Sequence, residues 1–262
     1  LVATDRGFMR MDELVARYRE GGVAVKVDGR LLPARLMLWE GTHNVPLTSY
    51  GDGYLPINRA FPSGERATVR IRTRSGFELV CTPDHRLMTD RGWVQAASLE
   101  IGEDRVWIQS DPGVFASNNR LPLDTPREFK GRNGRVYRHN LPTAWSRDLG
   151  LVLGWLVGDG WLRAGDRNCR VGWSFGAGDV EMRDRIHEVV DGWYGCPTRA
   201  VERARGVWHV SYHGKFFADF FLGLGVLPVS AAGKTVPTSL LGAPREAVIG
   251  FLQGLFTADG TV

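Results

Sequence analysis

Two stretches of the chain carry apolar runs with helical spacing and an unusual share of glycine. Leu149–Gly160 reads LGLVLGWLVGDG, with Gly150, Gly154 and Gly158 four residues apart. On a helix that spacing stacks all three on one face, leaving a smooth strip that a second helix can approach backbone to backbone. Glycine inside a helix costs about 1 kcal/mol relative to alanine, so three on one stripe call for a reason. Asp159 follows, then Gly160 at the place of a left-handed helix stop. A carboxylate there opposes the helix dipole, and a breach of local rules points to function.

The design then recurs. Gly250–Gly260 reads GFLQGLFTADG and aligns with the first stretch at an offset of 100, Asp259 against Asp159. Gly250 answers Gly150, Gly254 answers Gly154, Ala258 answers Gly158 and Gly260 answers Gly160. If the two small-residue faces pack together, both aspartates emerge side by side. Adjacent carboxylates repel unless a cation lies between them, and hard oxygen donors favour Mg²⁺. Either copy alone is satisfied as a core helix with an ordinary helix-stop aspartate. Two copies in register favour the metal.

Residues 1–114 follow a different rhythm. Short apolar–polar alternations at Val23–Val27, Ala67–Arg72 and Phe77–Cys81 are separated by turns at Gly21-Gly22, Asp28-Gly29, Gly51-Asp52-Gly53 and Ser75-Gly76. They predict a compact all-β domain with one short helix over Met11–Arg19. Residues 115–145, with Asn118-Asn119, three prolines and a basic cluster over Arg127–Arg138, read as a basic linker. From Ser146 helices and strands alternate. A strand is expected at Arg170–Phe175, a helix at Val180–Val190 and a hairpin from Thr198–Ala204 and Val207–His213. Helices at Lys215–Leu224 and Ala243–Ala258 complete the order, with a faint extra strand signal in Trp161–Asp166.

Composition narrows the class. In 262 residues, 43% hydrophobic content and nine tryptophans are ample for packed cores. No apolar run reaches the ~20 residues that cross a bilayer, and no signal peptide opens the chain, so no membrane partner is expected. Cys81, Cys169 and Cys196 are odd in number and lack CxxC spacing. That disfavours a disulfide framework or a zinc site and fits a reducing, cytoplasmic setting. The net charge of +4 lies in one place: residues 115–144 hold six basic and two acidic side chains, whereas both flanks are balanced. Such a segment is either a solvated linker or a contact for a phosphate backbone.

Within the β-rich part, GFELVCTPDHRLMTD (76–90) stands out. Phe77, Leu79 and Cys81 are expected on one face, with Glu78, Val80 and Thr82 on the other. Pro83 ends the ladder because it has no N–H to donate. Thr82 and His85 then share a tight strand-exit turn, where a hydroxyl and an imidazole can polarise an amide and protonate its departing nitrogen. Taken alone, the two residues also fit a hydrogen-bonded turn with an incidental histidine.

The two Gly/Asp segments resemble the signature helices of LAGLIDADG (DOD-type) homing endonucleases. TPDHRLMT, with Gly92-Trp93, Ala96–Leu99 and Gly102–Val106, resembles the second conserved block of inteins and the wider Hint family. Leu1–Gly7 and Met11–Leu14 resemble the remainder of the first intein block. The resemblance implies a multidomain chain: a Hint splicing domain, all-β, at 1–114, and an α+β LAGLIDADG domain at 146–262, where the first αββαββα repeat is followed by the second signature helix. It implies autocatalytic splicing aided by Thr82 and His85, with host exteins as partners in the precursor. It implies Mg²⁺-dependent cleavage of double-stranded DNA, with Asp159 and Asp259 on the metal. Lys234, in a Lys-x-x-Pro block, would serve a scissile phosphate. A sheet over the major groove would present Arg170, Arg199, Arg203, Arg205 and His209, although Arg199, Glu202 and Arg205 cannot all share one strand face. Inteins open on a Cys or Ser nucleophile upstream of this Leu-Val-Ala-Thr segment and close on His-Asn. The sequence starts at Leu1 and stops at Val262 with neither in place at its ends, so a splicing-incompetent fragment, truncated at both ends, is expected. A LAGLIDADG module that binds DNA without cutting it, or a hedgehog-type Hint domain, is the alternative; the paired helices argue against the latter.

Overall fold

A computed structural model of the chain describes residues 1–26, 36–37, 44–45, 54–108, 114–131, 134–165 and 167–259. Val27, the turns at Asp28-Gly29 and 51–53, Asp166 and Gly260 lie outside the described residues. The chain divides into two units: Leu1–Thr4 with Arg10–Gly113, and Asp5–Met9 with Val114–Val262.

The first unit is β-rich. It holds β1 (Val2–Thr4), α1 (Met11–Arg17), β3 (Ala24–Lys26), β4 (Leu36–Met37), β5 (Asn44–Val45) and β6 (Tyr54–Pro56). β7 (Val69–Arg72), β8 (Glu78–Cys81), β9 (Arg86–Thr89) and β10 (Gly92–Gln95) follow, while β2 (Gly7–Met9) belongs to the second unit. β3 pairs antiparallel with both β1 and β6. β7–β8 and β9–β10 are separate hairpins, in register Val69↔Cys81 and Thr89↔Gly92. Their turns are set by local chemistry. Gly76 and Gly92 adopt positive φ, which glycine does without strain. Buried Thr89 accepts the Arg91 N–H and donates to the Gly92 carbonyl. The expected two-faced burial of 77–82 is not what the strand does: Phe77, Leu79 and Val80 are all exposed. Ladder bonds and turn glycines, rather than a core, hold this hairpin.

The second unit is built on one continuous core. It contains β11 (Glu128–Lys130), β12 (Val136–Arg138), α2 (Arg147–Asp159), β13 (Gly160–Arg163), β14 (Arg170–Phe175) and α3 (Val180–Tyr194). β15 (Val201–Glu202), β16 (Trp208–His213), α4 (Lys215–Gly223) and α5 (Arg245–Asp259) complete it. Residues 115–145 are a correction to the linker reading. Leu121, Leu141 and Trp145 are buried in this core, the Ala116 N–H reaches the Ala243 carbonyl, and Phe129 and Tyr137 of the β11–β12 hairpin pack on Phe216. Isolated apolar residues between prolines carry no period, so their burial left no pattern to read.

β13, β14, β16 and β15 form one antiparallel sheet in that order. Alternation divides its faces. Val171, Trp173, Phe175, Val210 and Tyr212 are buried against α2, α3 and α4, while Trp161, Arg163, Arg170, His209 and Ser211 take the other face. β13 is the strand faintly signalled between 161 and 166. On α3, Asp191 accepts hydrogen bonds from the Tyr212 and Thr198 hydroxyls at 2.7 and 2.9 Å, tying the helix to β16 and to the segment that leads into β15.

Candidate active site

α2 starts at Ser146, whose hydroxyl accepts the Leu149 N–H, the usual N-cap device. Its glycines then decide how it packs. A methyl on Gly150 would overlap the Ala247 carbonyl oxygen, and one on Gly154 the Phe251 carbonyl oxygen. From the other side, a methyl on Gly250 would overlap the Arg147 carbonyl, and one on Gly254 the Leu151 carbonyl. The contacts exchange under the same 100-residue offset that relates the two sequences. α2 and α5 are therefore parallel and related by a local two-fold, with backbones in contact where side chains are missing.

Parallel packing brings the two C-termini together. A Cβ on Gly158 would sit 2.8 Å from the Ala258 Cβ and 3.8 Å from the Asp259 Cβ. Asp159 and Asp259 are exposed at this shared end. Partial burial and the neighbouring Asp259 hold the Asp159 carboxyl above the ordinary range; Asp179 adds to the rise and Lys234 opposes it. Asp179, at the start of α3, was not singled out by sequence; its visible role is to accept the Gly176 N–H.

Lys234 reaches the same end from the loop before α5. Its ammonium donates to the carbonyls of Gly158 and Gly160, both at 2.8 Å, on either side of Asp159. Burial lowers the lysine's proton affinity, while Asp159 and Asp259 raise it. This cation occupies the end of the helix dipole that otherwise repels Asp159. Gly160 is extended, at φ −114° and ψ −179°, so the expected left-handed stop is absent. β13 begins at once, and the lysine satisfies carbonyls that a helix stop would have satisfied.

The donor set suits a hard divalent cation in one respect and leaves it open in another. Two neighbouring carboxylates offer oxygen donors, but among the described residues no group of three His, Cys, Asp or Glu side chains could enclose a metal. Mg²⁺ commonly accepts one or two carboxylates and takes its other ligands from water and phosphate, so the two aspartates are compatible with it without enclosing it.

In the first unit Thr82 and His85 do share one turn: the His85 N–H donates to the Thr82 carbonyl at 3.0 Å. Asp84 stands between them, and the Thr82 hydroxyl, together with Arg66 and His85, holds its carboxyl below the ordinary range. Sequence reasoning passed over this acid.

The remaining expected residues lie around the sheet. Arg170 and His209 are on the open face. Arg203 follows β15, and its N–H extends the ladder to the Val207 carbonyl. Arg199 precedes β15 by two residues, and Arg205 sits in the turn with a left-handed φ of 64° rather than on a strand. None of Arg163, Arg170, Arg199, Arg203 or Arg205 has an ion pair among the described residues, whereas Arg183 and Arg185 on α3 pair with Asp184 and Asp148.

No family model matches the chain. It is similar to the replicative DNA helicase DnaB of Rhodothermus marinus, 25% identical over 90% of this chain and 23% of that protein. It is similar to the mycobacterial protein RecA, that of Mycobacterium tuberculosis being 26% identical over 79% of this chain and 23% of RecA. The tRNA-splicing ligase RtcB of Methanopyrus kandleri is 26% identical over 79% of this chain and 23% of the ligase. The chain thus spans less than a quarter of each relative. No described helix is long and apolar enough to cross a membrane.

Proposed function

We propose that the chain is part of an intein in which a Hint splicing domain carries a LAGLIDADG homing endonuclease, acting in the cytoplasm on double-stranded DNA. The observation that carries this reading is the parallel, two-fold-related pair of glycine-faced helices delivering Asp159 and Asp259 to one point. The relatives support it in a second way. A replicative helicase, RecA and an RNA ligase are differently named proteins, yet each matches most of this chain with less than a quarter of its own length. Partial similarity to several differently named proteins is what a module carried within different hosts would give.

A nucleotide-binding site is the competing account of that similarity, and the residues argue against it. Gly233-Lys234-Thr235 matches the end of the phosphate-loop pattern G-x-x-x-x-G-K-[ST], but Pro228 stands where its first glycine is required. The lysine is also committed to the Gly158 and Gly160 carbonyls.

In the nuclease reading, Asp159 and Asp259 would hold Mg²⁺. When bound, the ion supplies Lewis-acid stabilisation of the charge that develops in phosphodiester hydrolysis. Lys234 fixes the carbonyls on both sides of Asp159 and so sets where that carboxylate points, a positioning role more direct here than contact with phosphate. The open sheet face, with its unpaired arginines, positions the duplex. In the Hint part, Thr82 and His85 would polarise the scissile amide and protonate its leaving nitrogen as a Cys or Ser side chain of the precursor attacks the carbonyl carbon, with Asp84 as their neighbour.

The deciding experiment compares Mg²⁺-dependent nicking of supercoiled plasmid by the chain and by Asp159→Asn. Nicking abolished by the substitution supports the nuclease. Duplex binding without nicking in either protein assigns the chain to a non-cutting DNA-binding module.

A further inference from the structure

One part of the open sheet face gathers hydrogen-bond donors with no acceptor to receive them. Trp161 of β13 is the register partner of Gly172 in β14, and its indole lies so close over that glycine that a methyl there would run into the ring, 2.6 Å from Cε2. The same ring reaches β16, where its centroid is 4.8 Å from that of His209. The Trp161 Nε1 and the Arg170 Nε are buried without a hydrogen-bond partner, and they are the only such side-chain atoms among the described residues. A buried polar group left unpaired is costly, and more so when it is charged. A native fold keeps two such donors together where something else satisfies them.

The electrostatics agree. The charged groups that act on His209 are Arg203, beyond β15, and Arg170, from β14; β13 brings the uncharged Trp161. Burial first, then these two cations, push the imidazole below its ordinary range. Neither arginine has an ion pair among the described residues.

We propose that Trp161, Arg170, Arg203 and His209 form a binding site for a single oxyanion, which in nucleic acid is a backbone phosphodiester. This rests on the reading of the sheet as the duplex-facing surface and adds what that surface holds at this point. A phosphate oxygen accepts the stranded Nε–H groups and brings the negative charge the cluster lacks. Base edges carry amino donors as well as acceptors, and an amino group would meet the donors of Trp161, Arg170 and Arg203, with only the neutral His209 ring nitrogen able to accept it. The site therefore fixes register on the backbone and does not read sequence. Because the anion stabilises the imidazolium, binding is accompanied by proton uptake at His209.

The test uses the whole chain, with inorganic phosphate and two duplex oligonucleotides of unrelated sequence as probes. His209 is followed by NMR through pH titrations with and without each probe. The expected results are a rise in the His209 titration midpoint with both probes and duplex binding that tightens from pH 8 to pH 6. His209→Gln should flatten that pH dependence. Arg170→Gln should weaken both duplexes equally, roughly 5- to 20-fold, and shrink the slope of log K against log salt by about 1. Trp161→Phe, which keeps an aromatic ring over Gly172 but removes the indole N–H, should weaken binding without unfolding the sheet. An unmoved His209 midpoint overturns the site, as does an Arg170→Gln effect confined to one duplex. A response to phosphate but not to duplex overturns the nucleic-acid assignment and leaves a small-phosphate site. Asp159→Asn should leave all these signals intact, so a failed nuclease and a failed anion site give different results.

Discussion

In the α2–α5 pair Leu149, Leu153 and Trp155 are wholly buried, and glycines let two backbones touch. In β8, Leu79 and Val80 keep 41% and 51% of their surface exposed, and the hairpin is held by its turn and its ladder. Both segments are apolar in sequence, so hydrophobicity does not separate them. The difference lies in where the small residues fall. Glycines four apart on a helix specify a partner at close range, whereas a glycine at a hairpin turn specifies only a reversal of the chain. The second unit is therefore intolerant of added volume along one line, and the first is sensitive mainly at its turns and charged clamps.

The largest effect expected from breaking that contrast comes from adding one methyl group. Gly154→Ala drives a Cβ into the Phe251 carbonyl oxygen, and neither backbone can retreat without undoing the helix pair. The expected loss is about 3 kcal/mol or more, read by chemical denaturation. Gly192→Ala is its counterpart: the residue is also helical, in α3, but nothing lies within 4 Å of the added methyl. That variant should gain about 0.5–1 kcal/mol from helix propensity and a less flexible unfolded chain. Equal effects at the two positions would refute the close-packed pair.

These glycines also show how far the sequence could be read. The four-residue spacing and the 100-residue repeat were visible because helix geometry converts spacing directly into a shared face. The role of Lys234 was only partly visible, since its proximity to Asp159 depends on a fold-back over more than seventy residues. Gly160 was misread because a glycine after a helix usually stops it, and only the immediate start of β13 shows otherwise. Residues 115–145 look like a linker because prolines and basic residues interrupt apolar side chains that fall singly or in pairs, without a period that would mark their burial. The stranded donors of Trp161 and Arg170 carry no sequence signal, because being unpaired is a property of the surroundings.

A smaller effect should come from the polar network beneath α3. Tyr212 is buried, and its hydroxyl donates to Asp191 at 2.7 Å. Tyr212→Phe removes that donor and leaves the carboxylate with its contacts to Thr198. A hydrogen bond to a charged partner contributes about 1.5–3 kcal/mol, so denaturant stability should fall within that range. The aromatic packing with Trp173 and Phe217 should survive, leaving the near-ultraviolet dichroism little changed. A loss as large as that of Gly154→Ala would mean that the network, and not the helix pair, organises the second unit.

The smallest effects expected are opposite in sign in the two units, and pH separates them. In the first unit the Arg91 guanidinium, and then the Glu100 N–H, hold the Asp104 carboxyl below the ordinary range. Its contribution is present above the unfolded carboxylate pKa and is lost as pH falls through the folded value. In the second unit the Asp159 carboxyl is held above the ordinary range. The folded state then favours its protonated form, so stability is fullest below the unfolded pKa of about 3.9 and declines as pH rises through the folded value. At pH 7 ionised Asp159 is therefore a net cost. Because the carboxylate is exposed and screened, the cost is only a few tenths of a kcal/mol. Asp159→Asn should raise the melting temperature of the second unit by about 1 °C at pH 7 and leave it unchanged at pH 3.5. Asp104→Asn should lower the melting temperature of the first unit at pH 7, with the difference shrinking as the pH is lowered. An asparagine that destabilises at position 159 would mean that Lys234 outweighs burial and Asp259. The carboxylate would then be part of what holds the helix end together, rather than a strained group kept for its chemistry.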